Sequence, residues 1–301
     1  MELLRFFDSK GSSVPMVFEN AFAPSLRFLF ADADSANCNS TALRLPHLAI
    51  PLANNTFHVR FLLDDILPGS CELEQVHSGI VVEESVAGPA VAGDGLYAVC
   101  TEGEVVRTLA IRTADCLAVA LSAQVDGVRY GALVHAGWRG FAEGIHIRAI
   151  NLLADAAKHH GVEKQKLLDS LSVLVGPAIF GASYECGVEV HLGLTAHYKQ
   201  HFAACPLFSQ YRGVVETCLN VSGAGVERLG ASLYLSQKFY PDLQLLMACD
   251  CLMLGVKQGN IQILRENTWN SPILYSYRHA TVHGRTEGRR LHTHLLFSPQ
   301  K

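Results

Sequence analysis

Two histidines and a cysteine stand in short, chemically unusual settings along this chain. They are Gln75-Val76-His77-Ser78-Gly79, Thr113-Ala114-Asp115-Cys116-Leu117 and Val134-His135-Ala136-Gly137-Trp138-Arg139-Gly140. Two imidazoles and a thiolate suit a zinc ion, and three protein ligands leave the fourth tetrahedral position for water or substrate. The separations, 39 residues from His77 to Cys116 and 19 from Cys116 to His135, are too long for a zinc finger and require a site assembled by the fold. The chain has 14 histidines, and a buried cysteine is commonly just a small hydrophobe, so spacing alone leaves core packing open. The turn after His135 argues for chemistry. Two glycines permit close backbone approach, Trp138 offers a flat stacking surface, and Arg139 is a cationic fork for phosphate or carboxylate. Asp115 is placed behind the ligands, ordering its loop or orienting a ligand histidine.

These residues need strands to carry them. Arg27 to Ala31 and Phe57 to Leu63 read as strands. Thr108 to Leu121 is apolar and β-branched, broken by Ala114-Asp115-Cys116, and Gly127 marks a tight turn into a further strand, Val128 to His135. Helical spacing sets in from Phe141 to His160, with Ile145, Ala149, Leu152 and Ala156 on one face and Gly161 ending it. Leu171 to Val175 is a buried strand running into Gly176-Pro177-Ala178-Ile179. With Tyr184-Glu185-Cys186-Gly187 that segment is read as a strand-to-helix turn lining a pocket mouth. Val188 to Phe202 and Gly225 to Lys238 read as helices, and Leu243 to Ala248 and Ile273 to Tyr277 as late strands. On the last of these Arg278 would line a cleft. Cys249 and Cys251 are assigned as structural thiols, His159-His160 as a solvent-facing cap, and His292 and His294 as an exposed pair. Strands and helices mix without strict alternation, which points to a layered α+β domain.

Composition narrows the classes. The chain is 49% apolar and 17% charged over 301 residues, enough for a full core. A net charge of −4 gives no basic surface for nucleic acid. No apolar run approaches the ~20 residues of a membrane span. The acidic opening Met1 to Asp8 is not a secretory leader. Nine scattered cysteines fit reduced thiols in a cytoplasm better than a disulfide framework. Residues 1–20 read as a variable leader ahead of a single domain, 21–301.

The quoted motifs, with Gly-Pro-Ala-Ile at 176–179, Tyr-Glu at 184–185 and Tyr-Ser-Tyr-Arg at 275–278 followed by Gly284-Arg285, resemble one family. It has carried the names multicopper polyphenol oxidoreductase (laccase-like) and peptidoglycan-editing factor, and more recently purine nucleoside phosphorylase. The resemblance implies a single-domain α/β/β/α sandwich with one zinc per chain at a catalytic centre formed by His77, Cys116 and His135. Trp138, Arg139 and Arg278 would bind substrate. It implies phosphorolysis of adenosine, inosine, guanosine and methylthioadenosine, with inorganic phosphate as co-substrate, and adenosine deamination at the same site. The expected state is a cytoplasmic monomer or weak homodimer. The chain departs from the family pattern where an N-terminal Ser-Thr-Arg segment would stand, at Ala118 in place of a proline, and at Glu266 to Trp269 and His279.

Three rival readings share these residues. An amidohydrolase acting on a cell-wall precursor would use the same centre. Copper-dependent phenol oxidation needs about four coppers and several His-x-His pairs, against the single pair His292-Thr293-His294. A degenerate, non-catalytic binding protein is the fourth possibility.

Overall fold

The computed structural model describes residues 49–298 except 54–55, 221–236 and 286, together with three short strands before residue 49. Those strands are β1 (Arg5–Phe7), β2 (Ser13–Pro15) and β3 (Arg27–Leu29). β1 and β2 pair with each other inside the expected leader. The helix expected over 225–238 falls almost wholly outside the described residues.

A hairpin forms the centre of the molecule. β9 (Leu117–Val125) and β10 (Val128–Ala136) pair antiparallel along their whole length. Asp126 and Gly127, with φ of 51° and 81°, make the two-residue turn. Both left-handed residues give the turn the twist that matches flanking strands, which is why Asp-Gly stands there. Almost every residue of the pair is buried, because both faces are covered. Leu117, Val119 and Leu121, with Tyr130, Ala132 and Val134, face a helical layer. Ala118, Ala120 and Leu133 face a second sheet. Small residues on that second face let the sheets approach.

The larger sheet has seven strands in the order β3-β12-β11-β9-β10-β7-β6, with β6 (Val81–Glu83), β7 (Gly95–Cys100), β11 (Ser172–Val175) and β12 (Ile261–Leu264). The second has four in the order β4-β5-β13-β8, with β4 (Ala49–Leu52), β5 (Phe57–Leu63), β8 (Leu109–Thr113) and β13 (Leu291–Phe297). Phe57, Val59 and Phe61 alternate inward along β5 and are fully buried. Each such side chain contributes about 1.5–3 kcal/mol by leaving water.

Seven helices lie among the described residues. They are α1 (Trp138–Ala142), α2 (Ile145–His159), α3 (Lys164–Ser170), α4 (Val188–His201), α5 (Phe208–Leu219), α6 (Leu243–Met253) and α7 (Tyr277–Val282). The chain is thus a mixed α/β sandwich with a helical layer on the larger sheet. On α2 the buried stripe runs Ile145, Ala149, Leu153 and Ala157; Leu152 and Ala156 sit at its margin.

Three local expectations fail. The run from Leu243 is a helix, not a strand. All eleven residues of α6 are buried, and Asp242 caps it by accepting from the Leu245 N–H at 3.2 Å. A continuous apolar run carries no period to distinguish the two. Residues 273–276 form no strand; Ser276 accepts from the His279 N–H and starts α7. His292 and His294 lie on β13 between β5 and β8, and His294 is fully buried. Its Nε2 accepts from the Leu67 N–H at 3.1 Å.

Candidate active site

The hairpin and its two neighbours bring three distant loops to one end of the sandwich. His135 lies near the end of β10, opposite Ala118 on β9. Cys116 immediately precedes β9, so strand register alone places it beside His135. β8 stops at Thr113 and β9 starts at Leu117. Asp115, at φ 86°, makes the kink that turns Cys116 into the site.

His77 arrives from a loop wound around one carboxylate. Asp94 Oδ1 accepts from the His77 N–H at 3.0 Å, while Oδ2 accepts from the Val76 and Ser78 N–H groups and the Ser78 hydroxyl at 3.2, 2.6 and 2.8 Å. This nest of donors holds His77 at a left-handed φ of 60°, a conformation that costs about 1–3 kcal/mol unless its surroundings enforce it. The same Asp94 Oδ1 accepts from His135 Nδ1 at 2.8 Å, which turns Nε2 of His135 toward the centre. Asp94 was missed in the sequence. Its signal was a lone acid between Gly93 and Gly95 ahead of an apolar strand.

The three donor atoms of His77, Cys116 and His135 lie within 4.8 Å of one another, and the two rings meet edge to face at 4.9 Å. Gly137 closes over them: a Cβ there would stand 3.1 Å from Cys116 Sγ and 3.5 Å from the His77 ring. Burial would raise the Cys116 thiol, but the bonds and charge of His135 and His77 outweigh it and bring it down to about 7. Burial would likewise lower His135, yet Asp94 and Cys116 lift it to about 9. Asp94 itself is drawn down to about 2 against its burial by His135 and Ser78. The side chains therefore share protons at positions where an ion would replace them. Converging N and S donors, with one imidazole held from behind by a carboxylate, form a possible metal-binding group.

A cavity of about 710 Å³ opens above the three donors. Trp138 and Arg139, in the first turn of α1, form one wall, with the Arg139 guanidinium 4.6 Å from the Trp138 ring. Arg278 lies on another wall. Its backbone N–H donates to Asp115 Oδ2 at 2.7 Å and its guanidinium to the Glu185 carbonyl at 2.8 Å. Asp115 Oδ1 accepts from Thr268 at 2.6 Å. Asp115 therefore ties the C-terminal segment to the ligand loop, and Asp94 is the carboxylate that orients a histidine. Ile179 and Tyr184 line the mouth, as do Arg112 and Arg290, which sequence patterns did not single out. Cys186, nearby but buried, is pushed up to about 11, chiefly by that burial.

Purine nucleoside phosphorylase of Xylella fastidiosa (strain 9a5c) is 41% identical over 97 residues, 32% of this chain and 32% of that protein. Purine nucleoside phosphorylase of Aquifex aeolicus is 33% identical over 81 residues, 27% of this chain and 32% of that one. The matched segment thus spans about a third of each relative. Among solved structures, the Bacillus licheniformis hypothetical protein YfiH superposes with a TM-score of 0.56 at 17% identity, covering 76% of this chain and 74% of that one. YlmD of Geobacillus stearothermophilus does so with a TM-score of 0.54 at 24% identity, covering 75% and 73%. These likenesses establish the fold. The profile described as multi-copper polyphenol oxidoreductase laccase matches residues 62–293, a span that includes every wall of the site, and the chain belongs to that family.

Proposed function

We propose that this protein is a zinc-dependent purine nucleoside phosphorylase that also deaminates adenosine. One observation carries the reading: two imidazoles and a low-pKa thiol converge on the floor of a cavity walled by Trp138 and by four arginines, Arg112, Arg139, Arg278 and Arg290. The partial relatives named purine nucleoside phosphorylase support it. When bound, zinc supplies Lewis acidity at the cavity floor.

Phosphorolysis replaces the bond from ribose C1′ to the purine nitrogen with a C1′–O bond to phosphate, and the departing purine takes up a proton. Phosphate is an anion with several oxygens, so planar guanidinium forks suit it. Arg139 has no carboxylate partner among the described residues and is exposed to the cavity. Arg278 is fixed by Glu185 and Asp115. The Trp138 face offers a stacking surface for a purine, and Tyr184 and Ile179 shield the mouth from water. Asp94 keeps His135 in one tautomer and holds the His77 loop.

The multi-copper wording of the family description is not matched by a copper-like ligand array among the described residues. The single His-x-His pair sits on β13, with His294 committed to Leu67. No helix among the described residues is long and apolar enough to cross a membrane, and the eight described cysteines are all free thiols, consistent with a cytoplasmic setting.

Hypoxanthine release from inosine, measured with and without inorganic phosphate alongside elemental metal content, tests the proposal. Phosphate-dependent release by metal-loaded protein is the expected result. Metal-free protein with no phosphate dependence would remove it.

A further inference from the structure

A second group of ligand-type side chains lies among the helices, away from the cavity. His146 on α2, His197 on α4 and Asp250 on α6 are each fully buried, and their donor atoms lie within 4.8 Å of one another. His146 Nε2 and His197 Nε2 stand 2.8 and 2.7 Å from the same oxygen, Asp250 Oδ2. None of the three belongs to the motifs that carry the proposed activity.

The bonding within this group is incomplete. His197 Nδ1 is 3.3 Å from the Ala142 carbonyl, an acceptor, so the hydrogen of a neutral His197 belongs on Nδ1. Its Nε2 meets the carboxylate oxygen at 2.7 Å through a shared positive charge, either the proton of an imidazolium or a metal ion that displaces it. His146 Nδ1 is buried without a partner, as is Nε2 of His201, while the buried Tyr198 hydroxyl lies beside Asp250. His201 follows His197 by one helical turn, with ring centroids 4.9 Å apart, but its Nε2 packs against Gly144 and stands outside the group.

We propose that His146, His197 and Asp250 form a second, buried metal site. Nitrogen and oxygen donors without a thiolate select a divalent ion of the zinc class. The Ala142 carbonyl plays the part usual for the group behind a ligand imidazole, accepting its outer N–H. Donors around zinc at ~2.0–2.1 Å stand roughly 3.3 Å apart, so the two short contacts widen by about 0.5 Å and the imidazoles draw in. Side-chain torsions accommodate such shifts. The ion joins α2, α4 and α6, and through Ala142 it braces α1, the helix that carries Trp138 and Arg139. The site stands independently of the proposed activity, because no cavity-lining residue ligates there.

Cys116→Ala, which disables the cavity group, isolates the second one. Elemental analysis after exhaustive dialysis is expected to find two ions in the wild-type chain and one in Cys116→Ala. In Cys116→Ala/His146→Gln it is expected to find none. Cobalt(II)-loaded Cys116→Ala should show tetrahedral ligand-field bands without the sulfur charge-transfer band of the wild-type protein. Folded Cys116→Ala that binds no metal overturns the proposal and leaves a cluster held by protons alone. Folded double variant that keeps its ion also overturns it. Where the double variant does not fold, the metal count and cobalt spectrum of Cys116→Ala decide.

Discussion

The two histidine clusters use similar side chains in opposite settings. His77 stands on a loop, and Cys116 and His135 at the ends of strands, under a cavity lined by aromatic and cationic groups. His146, His197 and Asp250 stand inside a helical layer, each with no exposed surface. In the cavity group a carboxylate, Asp94, sits behind one imidazole and leaves the space between donors to a ligand. In the helical group the carboxylate sits between the imidazoles and is itself a donor. Position relative to solvent, more than residue type, separates the group that opens to a cavity from the one enclosed between helices. A thiolate and a pocket belong to the first, and closure belongs to the second.

Cys116→Ala should break the contrast most severely. Loss of a ligand should lower phosphorolysis by about 10²–10³-fold or more, the scale on which removal of a charge-stabilising group acts. The helical cluster and the melting temperature should stay close to wild type. A variant that keeps its turnover would show that the cavity cluster is not the reactive one.

His294 sharpens the contrast as a buried histidine with no hydrogen-bonded carboxylate among the described residues. Burial, aided by the nearby His292, pushes it down to about 4. The unfolded chain, with an ordinary histidine near 6.5, therefore binds this proton first, and stability falls as pH drops from about 6.5 to about 4. The full loss is about 3 kcal/mol at ~1.4 kcal/mol per pH unit. Denaturant unfolding of His294→Gln across that range should show a flatter profile than wild type. Superimposable profiles would contradict it.

Arg139→Ala should raise the KM for phosphate by roughly ten- to a hundredfold, since a charge-assisted hydrogen bond contributes about 1.5–3 kcal/mol. An unchanged KM, read from initial rates at varied phosphate, would assign the anion to another arginine. Asp94→Asn should cost about 10–100-fold in metal affinity, the usual effect of disturbing the group behind a ligand. Competition with a chromogenic chelator measures it, and unaltered affinity would leave Asp94 only its backbone contacts.

Some of this was legible before any coordinates. Asp126-Gly127 between two apolar runs specifies the β9–β10 hairpin through local turn chemistry, and that hairpin brings Cys116 beside His135. His77, Trp138, Arg139 and Arg278 were legible as types in context, and the structure gathers all of them around one cavity. Asp94, Arg112 and Arg290 were not, because their roles arise from neighbours on other strands. The helical cluster escaped for the same reason. His146 and Asp250 join His197 only across packed helices. α6 was misread because a helix apolar on every side has lost its periodicity.

Residue order alone determined what depends on near neighbours: the hairpin turn, the amphipathic stripe of α2 and the ligand types His, Cys and His. Tertiary structure decided which carboxylate lies behind which imidazole, and which histidines meet solvent. Those outcomes depend on strand register and helix packing between distant segments, as in the pairs Asp94–His135, 41 residues apart, and His146–Asp250, 104 apart. No local rule of spacing reaches that far.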